Sequence, residues 1–570
     1  MAKAKLTEED LAAFRKLNEE ALAFRSGGKG RAISIIISFI VLLILCYFWL
    51  PAFNVKDQTL YKTLVLTLAV YCLMRVATSG FYKPSRNAIQ TIRFLFREEK
   101  LALFSLLALA TIWAGGTIIS SPLFFPQQYH ELLVVSDGNF TDDVERISYD
   151  KIPMIDEQTA VQLGSRALGE LSDLVSQFET SENYAQINLN NAPVRVAPLE
   201  YGNLFKWLTN RENGLPGYVA VNMLTQTATI VRTEQGISYS ESEPLLRNIK
   251  RHLRIHYPSY LFGECHLEVD EAGQPWWVCP HIDHTIGLFG GRDIVGAVLV
   301  QASSGETIYY TADQIPQWVD QLFDADLIVQ QYNWYGKYAD GFWNSILSQS
   351  GVTTTTEGTN YITIDDDVYL YTGITSSGID ESNIGFILCN LRTKETRYYE
   401  IPGATELSAQ KSAEGTVQNL GYTATFPLLL NIANEPTYFM ALKDGAGLVK
   451  KYAMVNVEQY QIVATGDTVE SCEAAYTALL QAKTDQEAET QYPESTRHEI
   501  SGRVSELREN VIDGVTTYYI KLDESQQYFR LSAKLLPEAV LLDIGRQVWL
   551  EYQLPYNDIF ADVQTLEFIS

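Results

Sequence analysis

Cysteine and histidine are scarce in this chain, at six and seven among 570 residues. Disulfides cannot be the main source of stability in a chain of this length, and metal or triad chemistry has few residues to draw on. Phosphate-binding glycine loops, nucleophile elbows and the His-Glu-x-x-His zinc signature are missing as well. Positive charge is short beyond residue 119, where 28 Lys and Arg stand against 61 Asp and Glu, a net of −33. Residues 1–119 carry 15 against 8, a net of +7. A region that acidic repels nucleic acid and bare anionic lipid, because affinity for phosphate depends on neutralising it with Lys and Arg, and DNA and RNA are set aside as partners. The expectation is a protein that is not an enzyme and takes no cofactor.

What the chain has instead is uncharged apolar length. Residues 101–121, LALFSLLALATIWAGGTIISS, run for 21 residues without a charge, enough to cross a hydrocarbon core of roughly 30 Å. Residues 32–53, AISIIISFIVLLILCYFWLPAF, form a second such run. It is too long for a signal-peptide core and has no small-residue cleavage site, so it reads as a retained anchor. A weaker run covers residues 60–76, where only 12 residues separate Lys62 from Arg75 and both ends would have to snorkel. Charge parity supports it, because residues 75–100 carry six basic side chains that a two-span chain would place outside. Residues 32–121 thus form a three-span region of a multi-pass plasma-membrane protein, its N-terminus cytoplasmic and its C-terminal region extracytoplasmic. Residues 1–31 precede it, with Thr7 and Asp10 as a helix-capping pattern and Leu11, Phe14, Leu17, Ala21 and Phe24 on one face.

Beyond the spans the chain repeats itself. Four times a strand pair turning at Asn or Asp is followed by a second hairpin; the first members are INLNNAPVRVAP, HLEVDEAGQPWWV, YITIDDDVYLYTG and LLNIANEPTYFMAL. Equivalent units that stack bury each other's apolar faces. Amphipathic helices precede the first two copies, one with Val161, Leu168, Leu171, Val175 and Phe178 on its face. The other carries Leu245, Leu246, Ile249 and Leu253, with Arg247, Lys250, Arg251 and Arg254 toward solvent. The expected modules are 127–240, 241–350 and, for the third and fourth β-rich copies, 351–483. Trp277, Tyr369 and Tyr438 are expected at corresponding inward positions.

A helix followed by antiparallel strands, with a Ser-x-Gly-Glu corner in VLVQASSGETIYY, resembles the PepSY-type extracytoplasmic module, most closely over residues 244–310. The resemblance implies a binding or regulatory module without catalysis. Residues 484–497, TDQEAETQYPESTR, read as a linker. The five strand-like runs of 498–570 resemble a small OB-type barrel, though seven basic against twelve acidic residues from Arg497 onward do not suit oligonucleotides. The fold class is therefore a membrane protein with three N-terminal helices, a large extracytoplasmic α+β region and a C-terminal β-barrel.

Two sets of side chains stand out. A hairpin about Ala272 puts Cys265 opposite Cys279, so that a cross-strand disulfide is geometrically allowed, with a pair of buried thiols as the alternative. His266, His281, Asp283 and His284 lie close in sequence, but alternation sends Cys265 and His266 to opposite faces, and no zinc spacing is matched. Asp365, Asp366 and Asp367 lack the glycine and trailing glutamate of a calcium loop and read as a strand turn. The second set is aromatic: Trp318, Tyr332, Trp334, Tyr335, Tyr338, Phe342 and Trp343. These rings form either a stacking platform for sugars or a protein partner, or packing between the second and third copies. The expected function is a membrane-anchored scaffold or binding protein of a bacterial cell envelope. Its partners would be other envelope proteins, the cell wall, or a second copy of itself. The alternative is a regulatory or accessory subunit of a membrane enzyme or transporter.

Overall fold

The computed structural model describes residues 28–78, 94–144, 152–190, 192–376, 382–490, 497–512, 515–553 and 560–569. The amphipathic helix expected over residues 7–24 lies outside the described residues. The chain divides into two compact units, residues 1–476 and residues 477–570.

In the first unit three helices, α1 (Gly28–Trp49), α2 (Gln58–Thr78) and α3 (Lys100–Ile119), are long and apolar enough to cross a membrane. They run up, down and up. The start of α1, the end of α2 and the residue before α3 meet, because Glu99 binds both Arg31 at 3.2 Å and Arg75 at 2.5 Å. Tyr71 donates its hydroxyl to the same carboxylate at 2.9 Å. One of the two charges that were expected to snorkel from α2 turns inward instead, and the other stays exposed. Arg75 is 1% exposed against Glu99, and Lys62 sits over the Trp113 ring of α3. The threonines of α2 satisfy themselves on its own backbone, Thr63 donating to the Thr59 carbonyl and Thr67 to the Thr63 carbonyl. Such local bonds satisfy the hydroxyls without an outside partner along the 21 residues of the helix.

Four antiparallel sheets follow, and they share one strand order. In the first, strands run Phe178–Thr180, Ala192–Tyr201, Leu215–Asn222 and Thr227–Ile237, with Ala185–Leu189 on the free half of the second strand. The same pattern recurs from Leu261–Phe262 to Thr307–Thr311, from Thr353–Thr355 to Thr396–Tyr399, and from Thr423–Ala424 to Val463–Gly466. The third sheet gains an extra edge, Val135–Asp137, parallel to Thr396–Tyr399. The two-residue turns Asp365-Asp366 and Ala433-Asn434 join strands paired as Ile364 with Asp367 and Ile432 with Glu435. Asp365, Ala433 and Asn434 have positive φ, as tight hairpin turns require.

A helix precedes every sheet, not only the first two: Glu157–Gly169, Ile249–His256, Ala325–Tyr338 and Glu406–Thr416. The first is shorter than its apolar spacing suggested. It stops at Gly169, Leu171 and Val175 lie in the turns that follow, and Phe178 starts a strand. Ser172 and Asp173 supply side chains that compete with helical bonding there. In the second, Asn248 caps the helix by accepting from the Arg251 N–H, so Leu245 and Leu246 fall outside it and stay exposed.

The second sheet is the shared slab. Alternation along Pro275–Ile286 and Gly290–Gln301 sends Trp277, Cys279, Val298 and Val300 into one core with the first sheet. Val278, Ala297 and Leu299 go into another core with the third sheet. Of the three aromatics expected to correspond, Trp277 and Tyr438 are buried and Tyr369 is half-buried. Counted from the hairpin turn, Tyr369 pairs with Ile362 two residues before its strand end, whereas Tyr438 pairs with Leu429 three before. One residue of offset reverses the face in a strand, so Tyr438 corresponds to Leu370.

The second unit is a closed five-stranded barrel with Arg497–Ile512, Val515–Leu522, Tyr528–Ser532, Phe560–Phe568 and Gln547–Gln553 as successive neighbours. Tyr528–Ser532 and Phe560–Phe568 are parallel, and Ile520, Phe529, Leu531, Val548 and Leu550 fill the interior. The 484–497 segment is helical through Thr490, continuing Val469–Thr490. Over residues 484–490 one alanine, two glutamates and one glutamine are good helix formers even without an apolar stripe. Residues 491–496, and the Asp513-Gly514 turn of the barrel, lie outside the described residues.

Candidate functional site

The second module is seated on the ends of all three apolar helices through a joint of polar and aromatic contacts. At the end of α1 the Tyr47 hydroxyl donates to the Pro244 carbonyl at 2.6 Å, and the Arg251 guanidinium lies over the Tyr47 ring at 4.1 Å. Arg254 donates to the Leu50 carbonyl at 2.9 Å, and the Phe53 N–H to the Pro258 carbonyl at 2.8 Å. Arg251 and Arg254, expected toward solvent, are thus consumed by the helix end. Between α1 and α2 the loop is held by Asp57, which accepts from the Ala52 and Thr59 N–H groups. Lys56 reaches across to Asp283 at 2.8 Å and to the His284 carbonyl at 2.6 Å.

At α3 the contact is made by the hairpin turn of the second sheet, whose sequence is Ile286-Gly287-Leu288-Phe289-Gly290-Gly291. Ser120 Oγ accepts the backbone N–H of Leu288 at 2.8 Å and of Phe289 at 3.1 Å. Tyr129 donates its hydroxyl to the Ser120 carbonyl at 2.6 Å and accepts from the Gly291 N–H. Phe289 packs edge-on against Tyr61 of α2 at 5.5 Å and against Gly116 of α3. The glycines of this turn are obligatory, Gly291 among them with φ of +61°. Gly287 has φ of +60°, and a Cβ on Gly290 would overlap the Ser120 carbonyl and the Tyr129 hydroxyl. Those glycines were the signal in the sequence that identifies this joint, since three glycines in six residues of a strand turn mark a close approach by another element.

The aromatic stretch belongs to the same joint. Pro126–His130 follows α3, and Ala325–Tyr338 packs against it. Trp334 meets Tyr129 edge-on at 4.7 Å, and Tyr335 stacks on His130 at 4.6 Å. Tyr332 is buried, and burial raises its hydroxyl pKa. Trp318 lies against Trp276, away from the others. Tyr338 stacks on Phe342, leaving Trp343 as the ring that projects, 64% exposed.

Cys265 and Cys279 face each other, as the pairing of His266 with Val278 requires, and both are free, buried thiols. Burial first, then the hydrogen bond to Cys265, pushes the Cys279 thiol well above its ordinary range. The nearby histidines disperse. His266 binds Glu268 at 2.8 Å, His281 stacks on Tyr260 at 4.0 Å, and Asp283 and His284 face Lys56. Burial lowers the pKa of His281 and His284, which keeps both rings neutral. Among the described residues no group of three or more His, Cys, Asp or Glu side chains is placed to hold a metal.

A buried acidic contact escaped the sequence reading. Glu268 is fully buried, and its carboxylate accepts the backbone N–H groups of Asp320 and Gln321 at 2.8 and 3.0 Å. Asp320 in turn accepts the Asn188 N–H at 2.7 Å. The loop before the third helix is thereby stitched to the first and second sheets. Burial, and then the neighbouring Glu268 charge, push the Asp320 carboxyl up to about 9. No family model matches the chain, and no curated protein matches it.

Proposed function

We propose that this protein is a membrane-anchored scaffold or binding protein of the cell envelope, non-catalytic, with the α+β modules outside the cytoplasm. The observation that carries the reading is the joint. Backbone and side-chain groups of the second module engage the ends of α1 and α3 and the loop between α1 and α2, so the modules are held at a defined attitude to the apolar helices. A flexible tether would suffice for an enzyme acting on soluble substrate, whereas a fixed attitude serves a protein that presents surfaces to neighbours in the same membrane. Positive charge in residues 75–100 orients the helices with the large unit outside. The repeated strand order is compatible with PepSY-like modules, and the barrel's strand order with an OB-like fold; neither supplies a reaction.

A second reading, an accessory subunit of a membrane enzyme or transporter, is favoured by the Arg31–Glu99–Arg75 cluster. Ionisable groups among apolar helices are costly and mark functional contacts. Site-specific photocrosslinking in intact membranes separates the two. Crosslinks from Trp343 to wall material or to extracytoplasmic proteins support the scaffold. Crosslinks confined to Ile36, Leu43 and an integral protein support the subunit, and crosslinks from neither region overturn both.

A further inference from the structure

We infer that the face formed by Leu204–Asn210 and the segment Pro244 to Arg247 rests on the bilayer, binding anionic phospholipid in the leaflet that faces the large unit. The inference rests on the membrane-anchored reading above. Leu204, Phe205, Leu208, Leu245 and Leu246 are 63, 79, 53, 52 and 69% exposed, an apolar group no other described part of the chain covers. Its placement says what does. Pro244, which accepts the hydroxyl of Tyr47 at the last turn of α1, directly precedes Leu245 and Leu246. Phe48 and Trp49, on the same turn as Tyr47, are exposed as well, where interfacial aromatic rings prefer to sit. The apolar face is therefore continuous with the end of a helix already read as spanning.

Charge agrees with lipid rather than with an acidic protein surface like that of the remaining modules. Residues 203–212 and 241–256 contain six Lys and Arg and three acidic residues, Glu212, Glu241 and Glu243, in a region whose overall charge beyond residue 119 is −33; of the six cations, Arg251 and Arg254 are taken up by the end of α1. Lys206, Arg211 and Arg247 border the leucines, and Arg247 donates to the Arg211 carbonyl at 3.1 Å, which ties the two segments together. Lys250 is paired with Glu241 and Glu264 and contributes less. Between the segments lies a cleft of about 330 Å³ lined by Trp207, Arg211, Glu212, Glu243, Leu245, Leu246 and Arg247. Its floor is fixed, because Glu243 accepts from the Trp207 indole at 2.7 Å and the Tyr201 hydroxyl at 3.1 Å. An apolar face rimmed by cations, over a rigid cleft, matches the boundary between headgroups and acyl chains.

The test uses the full chain with Cys46→Ala, reconstituted in nanodiscs of phosphatidylcholine with phosphatidylglycerol and carrying an environment-sensitive fluorophore at one introduced cysteine. Probes at Phe39→Cys in α1, at Leu246→Cys, and at Leu420→Cys in the fourth module are compared. Brominated lipid should quench Phe39→Cys and Leu246→Cys and leave Leu420→Cys bright. Arg211→Glu with Arg247→Glu should restore much of the Leu246→Cys emission, and so should omitting the anionic lipid. Quenching at Phe39→Cys with none at Leu246→Cys overturns the inference and leaves the anchor intact, whether the leucine is then wet or covered by protein. Quenching at neither position removes the membrane-anchored reading itself.

Discussion

The Ser120 hydroxyl oxygen accepts the backbone N–H of Leu288 at 2.8 Å across 168 residues of chain, so the last turn of the third apolar helix and a hairpin of the second sheet share a hydrogen bond. Valine at Gly290 should break this joint. A Cβ there meets the Ser120 carbonyl and the Tyr129 hydroxyl, both backed by other contacts. Overpacking of this kind costs about 1–3 kcal/mol. The expected result is a lower melting temperature for the full chain in detergent and new protease cleavage between residues 119 and 135. Gly273→Val, at a turn with open space around it but a φ of +76°, serves as the strain-only control.

Stability should fall with rising pH through the Asp320 carboxyl. An ordinary aspartate titrates near 4 when unfolded, and here the folded value is raised to about 9. Between the two the native state binds the extra proton, so this contribution is full at low pH and is lost as pH climbs toward 9. Asp320→Asn keeps an oxygen for the Asn188 N–H and cannot ionise. It should flatten the pH profile of the melting temperature between pH 5 and 9 and stabilise most at the alkaline end. A wild-type profile that rises with pH over that window, unchanged in the variant, would refute the assignment.

Trp277 and Trp343 should separate packing from presentation. Trp277 is 2% exposed and donates its indole N–H to the Tyr239 carbonyl at 2.8 Å. Its replacement by alanine should cost roughly 3–5 kcal/mol, and because the second sheet is shared by two cores the loss should spread through the whole first unit. Trp343→Ala should leave the thermal transition in place. Equal destabilisation by both would mean that the projecting ring is packing after all.

How much of this was legible in the sequence depends on what each signal measures. The apolar runs and the alternating strand pairs report burial directly, and the three long helices and the hairpins lie where those patterns placed them, whereas the two amphipathic helices are shorter than their apolar spacing suggested. The helix over Ala325–Tyr338 went unnoticed because one face carries aromatic rings that fill the joint, which obscures the aliphatic stripe of Leu327 and Ile328. Glu268 and Asp320 were invisible for a different reason. A buried carboxylate is recognised by the backbone N–H groups aimed at it, and those come from a loop 52 residues further along. The partners of Arg75 were missed likewise, since snorkelling was weighed for the charge but a facing carboxylate from the next helix was not.

Topology is checked by impermeant thiol labelling of single introduced cysteines near Asn54, Ser85 and Gln128. The expected pattern on intact cells is outside, inside and outside. Ser85 lies outside the described residues, but it sits between the end of α2 and the start of α3, which meet at Glu99. Labelling there from outside would reverse the orientation or remove a span.

The Arg75–Glu99 pair yields the sharpest contrast between a structural and a functional role. Both side chains are almost wholly buried, at 1% and 3%, and Arg31 and Tyr71 converge on the same carboxylate. Removing one partner strands the other, which costs about 3–5 kcal/mol in a buried pair. Glu99→Ala and Arg75→Ala should each lower the melting temperature in detergent. Replacing both with apolar residues of similar volume, as in Arg75→Met with Glu99→Leu, should recover most of that loss, since a buried ion pair often stabilises no more than a well-packed apolar substitute. Recovery of stability without recovery of crosslinking to an integral partner would assign the cluster to recognition, whereas recovery of both would make it a packing device of the three helices alone.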